Sequence, residues 1–368
     1  MESDVFFVDF KTQTQKDSKV DKLQKLYNKL QFNKNIEKDD KVAIKLHFGE
    51  LGNDTFIQPL FIRQIIDNVK KTKGKPFVTD TNTLYHYKRH NSVDHLETAN
   101  KHGFNSSTLN APVIIADGME GYNYKEIKIF QKHFQKAKIA RDIVDSECMI
   151  VLSHVKGHVL SGFGGSLKNL AMGCASKKGK EDQHKLVQPI ISKLACVGCK
   201  ACVDGCPEGV ISVKAYASID YERCIGCNDC ISSCPTNAIK LNLGNLDEFM
   251  EGMMEYVYGA VKDKPENKII YINFLMDIIP ECDCTPYSGK SIVPDIGIVA
   301  SYDPVALDQA SYDLINKASG IENSDLKENK ESGKDKFKGL YSHINGETQI
   351  SEAEKLGLGT KNYKLIKI

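Results

Sequence analysis

Eight of the chain's twelve cysteines fall between residues 196 and 234, in two runs of one spacing. The first is Cys196, Cys199, Cys202 and Cys206, closed by Pro207. The second is Cys224, Cys227, Cys230 and Cys234, closed by Pro235. Both follow C-x2-C-x2-C-x3-C-P, the run that holds 4Fe–4S clusters in bacterial two-cluster ferredoxins. Three thiolates on a tight loop can cap three irons of a cubane, and the fourth iron needs a remote thiolate. In two-cluster proteins that remote ligand is the fourth cysteine of the other run. The expected ligand sets are therefore Cys196, Cys199, Cys202 and Cys234 for one cluster, and Cys224, Cys227, Cys230 and Cys206 for the other. Gly198 and Gly226 sit between the first two ligands of each run, where a residue without a Cβ permits unusual backbone angles. Val210, Ile211, Ala238 and Ile239 follow the runs and supply apolar shielding. Structural zinc is the rival chemistry, but zinc ribbons pair C-x2-C motifs and lack two runs of four ending in proline.

A second group of reactive side chains is scattered along the chain. Lys45 and His47 close the apolar stretch KVAIKLHF (41–48). His154 lies near the end of CMIVLSHV (148–155), and Lys156 and His158 follow it. SGFGGS comes next, with Lys168 and Asn169 at the start of an expected helix. Cys282 and Cys284 form a C-x-C pair after IIYINFLMDI. Imidazole and thiolate together suit iron, zinc or nickel. The group is thus expected either to hold an additional metal or to bind a small anionic substrate. In the second case Lys45, Lys156 and Lys168 neutralise charge or donate protons beside His47, His154 and His158. Against this stands the plainer reading, in which each His or Cys is a hydrogen-bonded or buried residue. Cys148 and Cys174 are read that way, as small core residues. His86, His90, His95, His102, His133, His184 and His343 lie in polar contexts and are read as surface groups. No G-x-G-x-x-G follows the first strand, and GFGGS lacks the Gly-Lys-Ser/Thr ending of a phosphate loop.

These groups need elements to position them. VFFVDF (5–10), KVAIKLHF, PFVTD (76–80), PVIIAD (112–117) and CMIVLSHV predict strands. Apolar residues at helical spacing predict helices at 17–31 and 58–71, and a helical stretch at 91–102. The alternation predicts a largely parallel sheet. Beyond the cysteine runs the pattern resumes: a helix at 246–260, strands at 268–275 and 296–300, and a helix at 304–318 behind an Asp303 cap and Pro304. Strand-end placement of the second group is favourable, because open α/β sheets bind ligands beyond the carboxyl ends of their strands. Helix N-terminal amides also favour anions. Residues 176–187 read as a polar, Lys-rich linker, and the charged stretch from 319 as a loop before a short terminal segment.

The expected fold class is α/β: a mostly parallel sheet domain interrupted by an inserted α+β ferredoxin-like domain. The expected division is 1–187 and 244–368 for the two parts of the α/β domain, and 188–243 for the insert. Net charge is +1, with 49 basic and 48 acidic side chains, which argues against nucleic acid as a partner. No apolar run approaches the roughly 18 residues that span a bilayer. The first residues lack a basic region followed by a long apolar stretch, so no signal peptide is expected and a cytoplasmic location follows. Twelve cysteines in such a compartment point to metal rather than disulfides.

Beyond the runs, the chain resembles the domain of unknown function 362 family, in the subgroup with an inserted two-cluster ferredoxin module. The stretches that carry the resemblance are KLHFGE (45–50), residues 153–180, PECDCTPYSG (280–289) and VPDIGIVASYDPVALDQA (293–310). The resemblance implies the fold and the cluster content and leaves the reaction open. Three functions fit the sequence. One is an iron–sulfur protein passing electrons to a substrate or to a redox partner protein. The others are an assembly module with structural clusters, and a non-redox enzyme using a His/Cys metal site.

Overall fold

Short runs of Val, Ile and Phe become strands where both faces can be covered. A computed structural model describes residues 2–368. Its main sheet contains β1 (Ser3–Asp9), β2 (Lys41–Lys45), β3 (Lys75–Asp80), β4 (Val113–Ile115), β5 (Cys148–His154), β6 (Ile269–Leu275), β7 (Gly297–Ser301) and β8 (Tyr363–Lys367). Their order is β8-β1-β7-β6-β5-β2-β3-β4. Neighbours from β6 to β4 are all parallel, as are β1 and β8. β7 alone runs against both of its neighbours. The sheet is therefore mostly parallel, as the strand–helix alternation predicts.

The central strands β5 and β6 are buried at every position, which is what helices on both faces of a parallel sheet require. Successive side chains of β5 split between two apolar layers. Met149 and Val151 join one, and Cys148, Ile150 and Leu152 join the other. α1 (Lys19–Leu30) and α2 (Pro59–Lys71) cover the second layer. α5 (Leu246–Val261) and α6 (Pro304–Lys317) cover the first, together with the short α3 (Ser166–Ala171). Asp303 caps α6 as expected, accepting from the Val305 and Ala306 amides at 2.8 and 2.9 Å.

Two segments depart from the expectation. The supposed linker contains α4 (Lys177–His184), in which Lys177, Gly179, Lys180, Glu181 and Gln183 are buried. Lysine there does not mean solvent: the Lys180 ammonium is satisfied by Thr81 Oγ1 at 2.5 Å, Asn82 O at 2.7 Å and Ala175 O at 3.0 Å. The charged tail is also part of the fold. It forms helices at Lys336–Leu340 and Glu347–Lys355 and ends in β8. Lys336 is buried because three carbonyl oxygens, of Asn316, Glu331 and Lys334, receive its ammonium. A hairpin of Tyr124–Lys128 with Lys136–Ala140 has no counterpart in the expected elements.

The cysteine-rich stretch builds a third apolar cluster from Val210, Ile211, Ala217, Ile219 and Ile239 around Cys202, Cys224 and Cys230. Two short helices, Ala201–Asp204 and Asp229–Ser232, and two antiparallel strand pairs complete it. The second run lies against α4 so closely that a Cβ at Gly226 would meet the His184 carbonyl oxygen at 2.6 Å. Among the described residues, no helix is long and apolar enough to cross a membrane.

Candidate functional site

Because β2, β3, β5 and β6 are parallel, their carboxyl ends share one edge of the sheet. A cavity of about 250 Å³ opens there. Its wall brings together all eight residues of the second group: Lys45, His47, His154, Lys156, His158, Lys168, Cys282 and Cys284. The expected convergence is present, and each member has a distinct role in the wall.

Lys45 is held by Leu46 O at 2.8 Å, Asp80 Oδ1 at 3.0 Å and Asn169 Oδ1 at 2.7 Å. Asp80 also meets Arg89 at 3.2 Å, and Arg89 reaches Glu50 at 3.3 Å. Burial pushes the Asp80 carboxyl up, but Lys45, His47, His95 and Arg89 outweigh it and hold it well below the carboxylate range. His47 Nδ1 accepts from the Gly49 amide at 3.0 Å. Burial, reinforced by Arg89, pulls its pKa down to about 3, so the ring is neutral.

His154 is structural. Its Nδ1 lies 2.9 Å from Asp283 Oδ1, and its Nε2 lies 3.0 Å from both Met276 O and Asp277 O. Neither nitrogen is left for a metal. Lys156 pairs with the second Asp283 oxygen at 2.9 Å. The residue between the two cysteines is thus pinned from β5 and from the short strand Lys156–His158 that follows it in the chain. The Glu50 amide donates to Asp283 O at 2.8 Å, and the Thr285 amide closes a turn onto Cys282 O at 2.9 Å. From the tail, the Tyr341 hydroxyl donates to Pro280 O at 2.8 Å. The Cys282 sulfur receives the Cys284 amide at 3.4 Å and faces the Lys168 ammonium at 3.9 Å. The Cys284 thiol and Lys168 outweigh burial and hold Cys282 well below the usual thiol range, whereas Cys284 is pushed well above it. Among the described residues, His158, Cys282 and Cys284 form a group that could hold a metal ion, their ligand atoms lying within 4.8 Å of one another.

The Gly-rich turn does not offer free amides. The Ser166 and Leu167 amides donate to the Asp308 carboxylate at 2.8 and 2.9 Å, and Asn273 Nδ2 adds a third bond at 2.7 Å. An internal carboxylate fills the place expected for a ligand anion. Lys180 lines the cavity as well, and burial lowers its pKa to about 8. His184 lines it too, and His95 is fully buried beside Asp80. Both correct the reading of these histidines as surface groups. Cys148 and Cys174 are fully buried, as expected of core thiols.

The two cysteine runs interleave. Cys196, Cys199, Cys202 and Cys234 surround one small cavity, and Cys206, Cys224, Cys227 and Cys230 surround another. Gly198 and Gly226 adopt φ of 68° and 71°, and the residues after the second ligands, Lys200 and Asn228, adopt 68° and 66°. The two loops thus turn alike. The Ala217 and Ala238 amides donate to the sulfurs of Cys196 and Cys234 at 3.3 and 3.2 Å. Among the described residues, neither thiol set meets the 4.8 Å spacing found for His158, Cys282 and Cys284. Tetrahedral zinc, at about 2.3 Å from each sulfur, needs sulfurs about 3.8 Å apart. Cys227 and Asn228 also line the large cavity, so one wall of the strand-end site is the second run itself.

The fold and site define an α/β protein, rich in cysteine, with a candidate metal-binding group at the carboxyl ends of a mostly parallel sheet. The chain belongs to the family described as "Domain of unknown function (DUF362)", whose profile matches residues 42–313. No curated protein matches the sequence. Among solved structures, the lactate racemase apoprotein from Thermoanaerobacterium thermosaccharolyticum is similar at 11% identity and a TM-score of 0.40, over 75% of this chain and 51% of that one. A protein from Thermotoga maritima is similar at 10% identity and a TM-score of 0.35, over 80% of this chain and 57% of that one. The chain therefore spans about half the length of these structures, 51% and 57%.

Proposed function

We propose that the chain is an iron–sulfur redox protein that delivers electrons to a small anionic substrate held in the strand-end cavity. The thiol sets fit two 4Fe–4S clusters: four cysteines line each small cavity, the loops turn alike, and backbone amides donate to two of the sulfurs. When bound, such clusters supply electrons one at a time. The observation that carries the reading is that Cys227 and Asn228 share a wall with Lys168, His158 and Cys282. A redox group at the second run is thereby in contact with the substrate space.

The charge of the cavity favours an anion. Lys45, Arg89, Lys156, Lys168 and Lys180 line it, against one lining carboxylate, Asp80. The Lys168 ammonium faces the Cys282 sulfur at 3.9 Å in the cavity wall, so its charge lies where a ligand would meet it. In the first run Cys199 is exposed, as are Val197 at 68% and, just before the run in sequence, Leu194. That exposed stretch suits a redox partner protein in a reducing cytoplasm.

The spacing of His158, Cys282 and Cys284 supports a second reading, a metal-dependent enzyme without redox function. Anaerobic analysis of iron, sulfide and total metal on wild type and a Cys282→Ala/Cys284→Ala variant separates the two. The first reading expects about eight irons and eight sulfides per chain in both proteins. An iron-free wild type would overturn it. One further metal per chain, lost in the variant, would establish the second.

A further inference from the structure

Cys282 and Cys284 have a use that neither metal binding nor substrate contact requires. They stand at the ends of a hydrogen-bonded turn, closed by the Thr285 amide on Cys282 O at 2.9 Å. Their sulfurs lie within 4.8 Å of one another, and the Cys284 amide donates to the Cys282 sulfur at 3.4 Å. Asp283, between them, is anchored by His154 at 2.9 Å and Lys156 at 2.9 Å, so the turn is held rather than free to splay. Both sulfurs open on the cavity whose wall includes Cys227.

Two chemistries compete for such a pair, a shared metal ion and a dithiol. His158 discriminates between them. The Leu160 amide points its hydrogen at His158 Nδ1 from 3.2 Å, and Ser161 Oγ lies 3.1 Å from the same atom. Nδ1 is therefore an acceptor, and the proton of the neutral ring sits on Nε2. A ligating histidine does the reverse: one nitrogen binds the metal and the other donates its N–H to an acceptor. Here Nδ1 is taken by a donor, and Nε2 carries a proton. A ring nitrogen lies within 4.8 Å of the Cys282 and Cys284 sulfurs, and with Nδ1 accepting, the N–H the ring can offer a sulfur is Nε2–H. His158 supports a thiolate and is poorly set to ligate a metal.

We propose that Cys282 and Cys284 are a redox dithiol that cycles with an intramolecular disulfide in the cavity wall. In the reducing direction the Sγ–Sγ bond breaks on uptake of two electrons and one proton. Cys284 takes the proton as a thiol. Cys282 remains a thiolate against the Lys168 ammonium and the His158 N–H. In the oxidising direction the same bond forms, and two electrons pass to a two-electron acceptor of the disulfide class. The electrons for reduction come from a low-potential one-electron donor, two for each bond. The pair would thus convert single-electron delivery into two-electron chemistry at the substrate space. It rests on the electron-transfer reading above for its source of electrons.

The test uses the whole chain, purified anaerobically and equilibrated in dithiothreitol buffers of graded potential. Free thiols are alkylated, and the peptide containing residues 280–290 is analysed by mass spectrometry. The expected result is interconversion of a doubly alkylated peptide and one lighter by two hydrogens without alkyl groups. The ratio should change tenfold per about 30 mV, the slope of a two-electron couple. In Cys282→Ser, Cys284 should be alkylated at every potential. The proposal is overturned if both thiols are alkylated throughout, if either pairs with a different cysteine, or if a chelator is needed to expose them. Iron content measured on the same samples tells this failure from failure of the cluster reading. Full iron with unpaired thiols sinks only the dithiol, and absent iron sinks the source of its electrons.

Discussion

At the residue scale, Lys180 gives the site a pH dependence. Burial lowers its pKa from 10.5 to about 8. A base depressed on folding destabilises the fold below the folded pKa, and that penalty, on the order of 3 kcal/mol, is relieved as pH rises from about 8 to 10.5. Anion affinity runs the other way, because the charge that attracts the ligand is lost over the same window. Calorimetry with sulfate should show binding flat below pH 7.5 and falling up to about tenfold per unit above pH 8. Lys180→Met should remove that fall. The burial of Lys180 was hidden in the sequence: SKKGKEDQ reads as solvated, yet the ammonium is buried among Thr81, Asn82 and Ala175, and the first two lie nearly a hundred residues away. Asp283, Arg89 and His184 were missed because no local spacing reveals their partners. The division of the eight cysteines between two small cavities was legible, because the two runs share one spacing and their loops turn alike. Gly226 supplies a second residue-scale prediction. Its φ of 71° and the 2.6 Å approach to His184 O leave no room for a Cβ. Gly226→Ala should cost about 1–3 kcal/mol of backbone strain, lower the thermal midpoint, and reduce iron content as the second run is pushed off α4. Unchanged iron and midpoint would show that this contact is dispensable.

At the element scale, the strands and long helices were readable because their apolar periodicity is continuous. The Asp303–Pro304 start of α6 was readable because its cap lies beside it in sequence. α3 was half readable. Glycines and a following helix were visible, but the carboxylate that fills the turn comes from Asp308, more than a hundred residues on. α4 and the tail helices were hidden by lysines whose buried ends are satisfied by backbone carbonyls. Asp308 tests how much α3 depends on its borrowed cap. The carboxylate accepts from Ser166 N, Leu167 N and Asn273 Nδ2. Asp308→Asn turns one accepting oxygen into a donor facing an amide, leaving a buried N–H unpaired at a cost of about 1–3 kcal/mol. Urea unfolding should register that loss, and Lys168 and Asn169, which α3 carries into the cavity, should bind sulfate less well. A variant as stable as wild type would mean that α3 holds its position without the cap.

At the scale of the whole molecule, the parallel sheet gathers the site. Four parallel strand ends deliver side chains from positions 45 to 284 to one edge, and the cysteine-rich stretch closes that edge with Cys227 and Asn228. The sequence made strand-end placement visible and left the closing wall hidden, because the contact between α4 and the second run depends on how the stretch folds back. β8, on the outer side of β1, was read only as a short terminal segment, because its pairing partner lies at the opposite end of the chain. The proposed iron–sulfur cluster at the second run borders the cavity at the strand ends through Cys227 and Asn228. EPR of the anaerobic, dithionite-reduced protein tests it, recorded with and without sulfate at a concentration shown by calorimetry to fill the cavity. Two 4Fe–4S signals are predicted, with sulfate shifting the one assigned to the second run and leaving the other in place. Sulfate bound with both signals unmoved would mean that no cluster borders the cavity, and a reduced protein with no cluster signal at all would mean that the cysteine runs hold none.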